Sequence, residues 1–293
     1  FVISEWEELL DGLFFYNACD TLRNLPEILR EGLVDFGGLL HPQFRLHVPM
    51  LSPAQADASG YLENGIEELI YAMEKHYGIG FSEERFAGSV ALYDRMRELC
   101  RQLEEAVAAG RMPFAEFCRL LTVTNFMAVN EQIVLLESTM EDIMERPAPG
   151  GNSAGLIVSG IMPPPSAVCE MMDQAGLRVA GNDIAFMHRA YARTPESWRD
   201  AADYYVRFYR DHFPCPTLLY SADRRMEVIM EMVEQTDARG FIFVGEKFCE
   251  YEYFELPYLE KQLRDRGVPV LSLERAMEDS TGPETSRTRR EAF

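Results

Sequence analysis

The chain has 293 residues, of which 47% are hydrophobic and 26% are charged, a composition typical of a soluble globular protein. This length is enough for two α/β domains or one large one. Acidic residues outnumber basic ones 48 to 28, and a net charge of −20 disfavours nucleic acid as a partner. No uncharged apolar stretch approaches the roughly 20 residues that cross a bilayer, and residues 1–10 lack the basic segment of a signal peptide. We therefore expect a cytoplasmic protein without a membrane partner.

The first predicted α/β segment covers residues 12–48. An apolar strand over residues 13–16 runs into the sequence Asn-Ala-Cys-Asp, in which the cysteine is Cys19. Apolar residues at helical spacing then predict a helix, and a second strand over residues 44–48 is ended by Pro49. This segment therefore reads as strand, helix, strand.

A helical segment follows over residues 54–145, where the apolar residues recur with a period near 3.6. Ser82 precedes an acidic first turn and predicts a helix that reaches Gly110. Pro113 begins another helix, and a further one covers residues 126–144. The sequence PAPGG that comes next, at 147–151, is the clearest linker.

After the linker, predicted strands alternate with helices. The strands cover residues 155–158, 178–180, 241–244 and 268–273, and the helices cover 165–175, 197–212, 222–235 and 255–266. This alternation favours parallel sheets with helices on both faces. We predict an α/β protein with two Rossmann-like parallel-sheet domains and a helical segment between them. The N-terminal domain, residues 1–146, begins without Met and is expected to be truncated, and the C-terminal domain covers residues 152–293.

The six cysteines are scattered, without a CxxC pair or zinc-ligand spacing, which fits a reduced compartment. Cys100 and Cys118 fall within helical patterns and are expected to be core thiols, and core packing is also the expected role of Cys169. Sequence motifs for nucleotide binding or serine hydrolysis are absent, and the five histidines do not pair at metal-ligand spacing.

Cys19 and Cys249 each come just after the carboxyl end of a predicted strand, where open α/β sheets place their ligands. The two thiols could therefore converge on one site. The pattern equally allows a buried thiol at the end of the first strand and a small core residue among aromatic side chains. Cys215 lies between two prolines, which suits a rigid ligand loop or a plain turn.

Several segments together resemble the 2-hydroxyacyl-CoA dehydratase and benzoyl-CoA reductase family, of the 2-hydroxyglutaryl-CoA dehydratase D-component type. They span the chain in the order expected for that family: NACDTLR at 17–23, YLENGIEELIYAMEKHYGIGFSEERFAGSVALYDRMREL at 61–99, SG at 159–160, GLRV at 176–179, PCP at 214–216 before DRR at 223–225, GFIF at 240–243 into KFC at 247–249, and RTRREAF at 287–293.

The resemblance implies an oxygen-sensitive enzyme of two related subunits, which acts on a CoA thioester and receives low-potential electrons from an ATP-dependent iron–sulfur activator protein. It also implies a [4Fe-4S] or related cluster, which needs thiolate ligands. By position, Cys19 and Cys249 are the expected ligands. The implied activity is 2-hydroxyacyl-CoA dehydration or aromatic ring reduction of the benzoyl-CoA reductase type.

One position departs from the family pattern. Many members carry a further cysteine in a D-D-x-C-x-G stretch, but residues 182–187 read NDIAFM here, so the ligand position falls on Ala185. Either another thiol substitutes, with Cys215 preferred over Cys169, or the cluster has an altered form. A third alternative is a non-catalytic partner subunit that has lost its cluster.

Overall fold

The structure, a computed structural model, describes residues 10–34, 41–51, 56–146, 154–212, 214, 222–247 and 249–275. Its elements in chain order are β1 (Leu13–Tyr16), α1 (Asp20–Gly32), β2 (Gln43–Leu46), α2 (Ala56–Tyr77), α3 (Glu83–Ala108), α4 (Phe114–Thr124), α5 (Val129–Glu145), β3 (Ala154–Gly160), α6 (Ser166–Gln174), β4 (Leu177–Ile184), α7 (His188–Tyr191), α8 (Ala201–Asp211), α9 (Ala222–Thr236), β5 (Ala238–Glu246), α10 (Glu250–Asp265) and β6 (Val270–Arg275).

The chain forms two compact units. The first contains Phe1–Phe86 and Pro195–Asp211, and the second contains Ala87–Thr194 and His212–Phe293. The linker expected at 147–151 lies outside the described residues. The predicted boundary between residues 146 and 152 therefore stays a prediction.

In the first unit, β1 and β2 form a parallel pair in which Leu13 lies opposite Gln43. The predicted first strand is confirmed, but β2 ends at Leu46, two residues earlier than expected. The reason is a side chain: the amide of Asn17 accepts a hydrogen bond from the Val48 N–H and donates one to the Val48 carbonyl. These bonds satisfy the Val48 backbone without a ladder partner.

The second unit contains a four-stranded parallel sheet with the strand order β4-β3-β5-β6. Alternate residues of its central strands enter different hydrophobic clusters: Leu156 and Val158 belong to one cluster, and Ile157 to the other. A strand buried on both faces carries apolar residues at consecutive positions, as parallel sheets covered by helices require. Both sheets that the described residues form are parallel, so the predicted α/β class is confirmed.

The helical segment follows the sequence pattern closely. The Ser82 hydroxyl accepts a hydrogen bond from the Arg85 N–H, and Gly110 adopts a positive φ of 74° two residues after α3 ends. Cys100 and Cys118 are buried, as expected for core thiols. Within the part of the chain that the structure describes, no helix is both long and apolar enough to cross a membrane.

The boundaries near the predicted site differ from the sequence-based expectation. β4 extends to Ile184 and β5 to Glu246, so the polar residues expected just after a strand lie within it. The predicted start of α10 at residue 255 is wrong, because the helix begins at Glu250 and contains Pro257. The acidic residue Glu250 in its first turn matches the positive end of the helix dipole.

Candidate functional site

Cys249 lies in the turn that connects β5 to α10, where it is the N-cap residue of the helix. Its N–H donates a hydrogen bond to the Glu246 carbonyl, and its own carbonyl accepts one from Tyr253. The residue is half-buried. The neighbouring Phe248, part of the aromatic cluster expected from the sequence, lies outside the described residues.

The position of this turn in the sheet matches a common ligand-binding arrangement. The strand order places β4 on one side of β3 and β5 on the other, so the direction of strand addition reverses between β3 and β5. Open α/β sheets bind ligands outside the carboxyl ends of their strands at such a reversal. Gly160 ends β3 at this point, and a Cβ there would lie 2.5 Å from the Val244 carbonyl oxygen of β5.

Cys19 has the same local setting in the first unit. It is the N-cap residue of α1, and its sulfur accepts a hydrogen bond from the Leu22 N–H at 3.5 Å. The residue is half-buried. The sequence expectation that Cys19 and Cys249 follow strand ends agrees with both positions, while their shared role as ligands stays a prediction.

The remaining thiols have different surroundings. Cys215 lies outside the described residues. Cys100, Cys118 and Cys169 belong to the hydrophobic cluster on one face of the large sheet. Burial raises the pKa of Cys100 to about 12. A hydrogen bond with Cys169, together with burial, raises the pKa of Cys118 above its ordinary value. The environments of Cys100 and Cys118 therefore favour the protonated thiol, whereas a metal ligand must be the thiolate.

The described residues do not bring a complete set of metal ligands together. Cys19 and Cys249 supply the soft donor atom that iron requires, but they belong to different units. Ala185, at the expected third position, follows β4 and donates its N–H to the Gly160 carbonyl, and its methyl group offers no ligand. Within the described ranges, no group of three or more His, Cys, Asp or Glu side chains could hold a metal ion.

A buried ionic network, which sequence reasoning did not find, lies at the carboxyl ends of β3 and β4. Its centre is Asp183, which is fully buried and accepts hydrogen bonds from Arg225 at 2.6 Å and from the Ser159 hydroxyl at 3.0 Å. Arg225 also pairs with Glu255 of α10. Arg189 of α7 approaches the same aspartate, with its Nε 3.1 Å from Asp183 Oδ1. The network therefore ties α7, α9 and α10 to the sheet.

The charges in this network determine how Asp183 titrates. Burial by itself favours the neutral acid, but the guanidinium groups of Arg189 and Arg225 outweigh it and hold the pKa of Asp183 below its usual range. In the sequence, Asp183 lies shortly after the predicted strand over residues 178–180. An aspartate by itself does not reveal the network in the sequence. Its partners, Arg189 and Arg225, lie 6 and 42 residues further along the chain, on two different helices.

The second unit also contains an open cavity of about 410 Å³ beside β4. One of its walls is the Glu104 carboxylate, which contacts His188 Nδ1 at 2.9 Å and accepts a hydrogen bond from Asn182 at 2.8 Å. Arginine and glutamate side chains both line the cavity, so its charge does not favour one class of ligand.

Comparison with known proteins identifies the family of the chain. The family described as "2-hydroxyglutaryl-CoA dehydratase, D-component" matches residues 1–293. The chain belongs to this family.

Three curated relatives agree with that assignment. The chain is 22% identical to the (R)-phenyllactyl-CoA dehydratase beta subunit of Clostridium sporogenes over 98% of this chain and 75% of that protein. It is 24% identical to the beta subunit of (R)-2-hydroxyglutaryl-CoA dehydratase from Acidaminococcus fermentans, over 90% and 70% of the two chains. It is 20% identical to a benzoyl-CoA reductase subunit of Thauera aromatica, over 94% of this chain and 71% of that protein. The chain is therefore a subunit of dehydratase or reductase-like type.

Proposed function

We propose that this chain is one subunit of an ATP-activated, low-potential radical enzyme that acts on acyl-CoA thioesters, of the 2-hydroxyacyl-CoA dehydratase type. The observation that carries this proposal is the family match over the whole chain. Two of the three relatives described above are named as dehydratase subunits, which favours dehydration over ring reduction.

We further propose that Cys19, Cys249 and Cys215 bind a [4Fe-4S] or related cluster. The half-buried setting of Cys19 and Cys249, each at a helix N-terminus after a parallel strand, supports this assignment. When bound, such a cluster supplies single-electron transfer at a potential tuned by hydrogen bonds and by solvent exclusion.

The chain's own residues hold the Cys249 turn in place. Glu255 of α10 pairs with Arg225, which in turn bonds to Asp183 of β4. This buried link fixes the first two turns of α10 relative to the sheet, and Cys249 caps that helix. A ligand placed on such rigid elements keeps its position better than one on a mobile loop.

The proposed partners are a related second subunit, an ATP-dependent iron–sulfur activator protein and a CoA-thioester substrate. Each of the three relatives is itself named as a subunit of its enzyme, which supports the second subunit.

Two alternatives each have an observation in their favour. The relative from Thauera aromatica is a benzoyl-CoA reductase subunit, which favours reduction of an aromatic ring. Ala185 at the expected ligand position, with no complete ligand set among the described residues, favours a partner subunit that has lost its cluster.

Metal analysis tests the cluster assignment. The chain should be purified without oxygen together with its partner subunit, and iron and sulfide should be measured in the wild type and in Cys249→Ser. We expect the variant to lose most of its iron and its cluster absorbance, because serine is a poor ligand for a soft iron–sulfur centre.

Cys169→Ala is the matched control for this experiment, since Cys169 is a core thiol with 1% of its surface exposed. It should retain the iron content of the wild type. Unchanged iron in Cys249→Ser would remove Cys249 from the ligand set, and absence of iron from the wild-type protein would favour the non-catalytic alternative.

Turnover separates the two enzyme classes. With activator and ATP, we expect the complex to dehydrate a lactyl-type or phenyllactyl-type CoA thioester and to leave the ring of benzoyl-CoA intact. Ring reduction without dehydration would contradict the dehydratase assignment and support the reductase alternative.

A further inference from the structure

Glu252 is a buried carboxylate on the first turn of α10. Its side chain has 0% relative exposure. Neither of its oxygens forms a hydrogen bond to any residue that the structure describes. Burial of a carboxylate without hydrogen-bond partners disfavours its ionised form.

The charges around Glu252 already balance without it. Arg189 and Arg225 supply two positive charges, and Asp183 and Glu255 supply two negative charges that pair with them. An ionised Glu252 would add a third carboxylate, so that these five side chains would together carry one net negative charge. A protonated Glu252 leaves the network neutral.

Arg189 does not compensate this carboxylate by a direct hydrogen bond. Its Nη2 lies 3.7 Å from Glu252 Oε1, and the same nitrogen donates to the carbonyls of Gly160 at 2.7 Å and Asp183 at 2.8 Å. From β5, the backbone of Glu246 favours the ionised form, as Arg189 and Arg225 do from α7 and α9.

Asp183 of β4 opposes ionisation of Glu252, and burial has the largest effect. Together these influences raise the pKa of Glu252 to about 7. The hydroxyl of the neighbouring Tyr253 is buried but has no hydrogen-bond partner among the described residues, so it does not stabilise the charge.

We propose that Glu252 carries a proton in the folded protein at mildly acidic pH, and that loss of this proton as the pH rises loosens the first turn of α10. The device is independent of any bound cofactor, because it rests on five side chains of the fold itself. Its consequence is a pH-dependent anchoring of the helix that begins after Cys249.

The direction of the effect follows from linkage. An acid whose pKa is higher in the folded state than its ordinary value of 4.5 contributes full stability below that ordinary value and loses it as the pH rises. For Glu252 the loss should begin above pH 4.5 and level off above about pH 7. Over that interval, the equilibrium constant for opening of the first turn of α10 should rise by up to about tenfold per pH unit.

The test compares Glu252→Gln with the wild type over pH 5 to about 9. Glutamine has the size of the protonated acid but cannot ionise. Thermal unfolding of the full chain should show the wild type losing stability relative to the variant up to about pH 7, with a constant difference at higher pH. Glu250→Gln, an exposed carboxylate of the same helical turn, is the matched control and should follow the wild type.

A pH-independent difference between Glu252→Gln and the wild type would overturn the proposal, because Glu252 would then be ionised throughout. If the variant does not fold, amide hydrogen exchange of the wild type tests the proposal without it. The amides of the first two turns of α10 should lose protection between pH 5 and about 7 after correction for intrinsic exchange, and unchanged protection would equally reject the proposal.

Discussion

Cys19 and Cys249 occupy the same kind of turn, each as the N-cap of a helix after a parallel strand, but their surroundings differ. Beside Cys19, β1 exposes half of Phe14 and Tyr16, and the first charged pair of α1, Asp20 with Arg23, is on the surface. The turn at Cys249 instead leads into a helix in which two carboxylates, Glu252 and Glu255, are buried beside arginines from elsewhere in the unit.

The difference shows that a local turn and its electrostatic environment have separate origins. The turn is set by neighbouring residues, whereas the charges are matched by residues distant in the chain. A buried ion pair that loses one partner is costly, while a surface pair contributes little. Substitutions in the two regions should therefore differ strongly in their effect on stability.

The largest effect is expected from Arg225→Met. This substitution removes the guanidinium that bonds to both Asp183 and Glu255, and leaves two buried carboxylates with fewer partners. We expect the free energy of unfolding to fall by about 3–5 kcal/mol, measured by urea denaturation.

The control for this prediction is Arg23→Met, which breaks the exposed pair with Asp20 at the other turn. It should change the free energy of unfolding by less than about 1 kcal/mol. Equal losses of unfolding free energy in the two variants would show that the buried network contributes no more than a surface pair. That result would contradict the difference between the two turns.

A smaller effect is expected from Gly160→Ala at the carboxyl end of β3. The added Cβ would lie 2.5 Å from the backbone oxygen of Val244, so the two central strands must move apart. We expect a loss of about 1–3 kcal/mol in the free energy of unfolding, because a packed backbone cannot yield as a flexible side chain does.

Gly60→Ala provides the contrast in the first unit. Gly60 lies in α2 with no atom within 4 Å of an added Cβ, so alanine should stabilise the helix by about 0.5–1 kcal/mol. If both glycine variants changed stability in the same direction, close packing at the β3–β5 edge would not be the cause of the loss at Gly160.

Much of the fold could be predicted because its signals are local. The strand at Leu13–Tyr16, the Ser82 cap and the helix beginning after Pro113 follow from patterns of a few residues. The predicted element boundaries are wrong where residues distant in the chain determine where an element ends. β4 continues through Asn182 and Asp183 because these residues pair with Val158 and Ser159 of β3, 24 residues earlier in the chain.

For the candidate site, the sequence by itself determined the family, through short motifs spread along the chain. It also determined that Cys19 and Cys249 follow strands, because that placement depends on the residues next to each thiol. Only the tertiary structure decided that Asp183, Arg225 and Glu255 form one buried network, and that Glu252 lies beside it without a hydrogen-bond partner among the described residues. The physical reason is that burial and charge compensation are properties of the folded interior, where the balance of charges depends on side chains that the chain order separates.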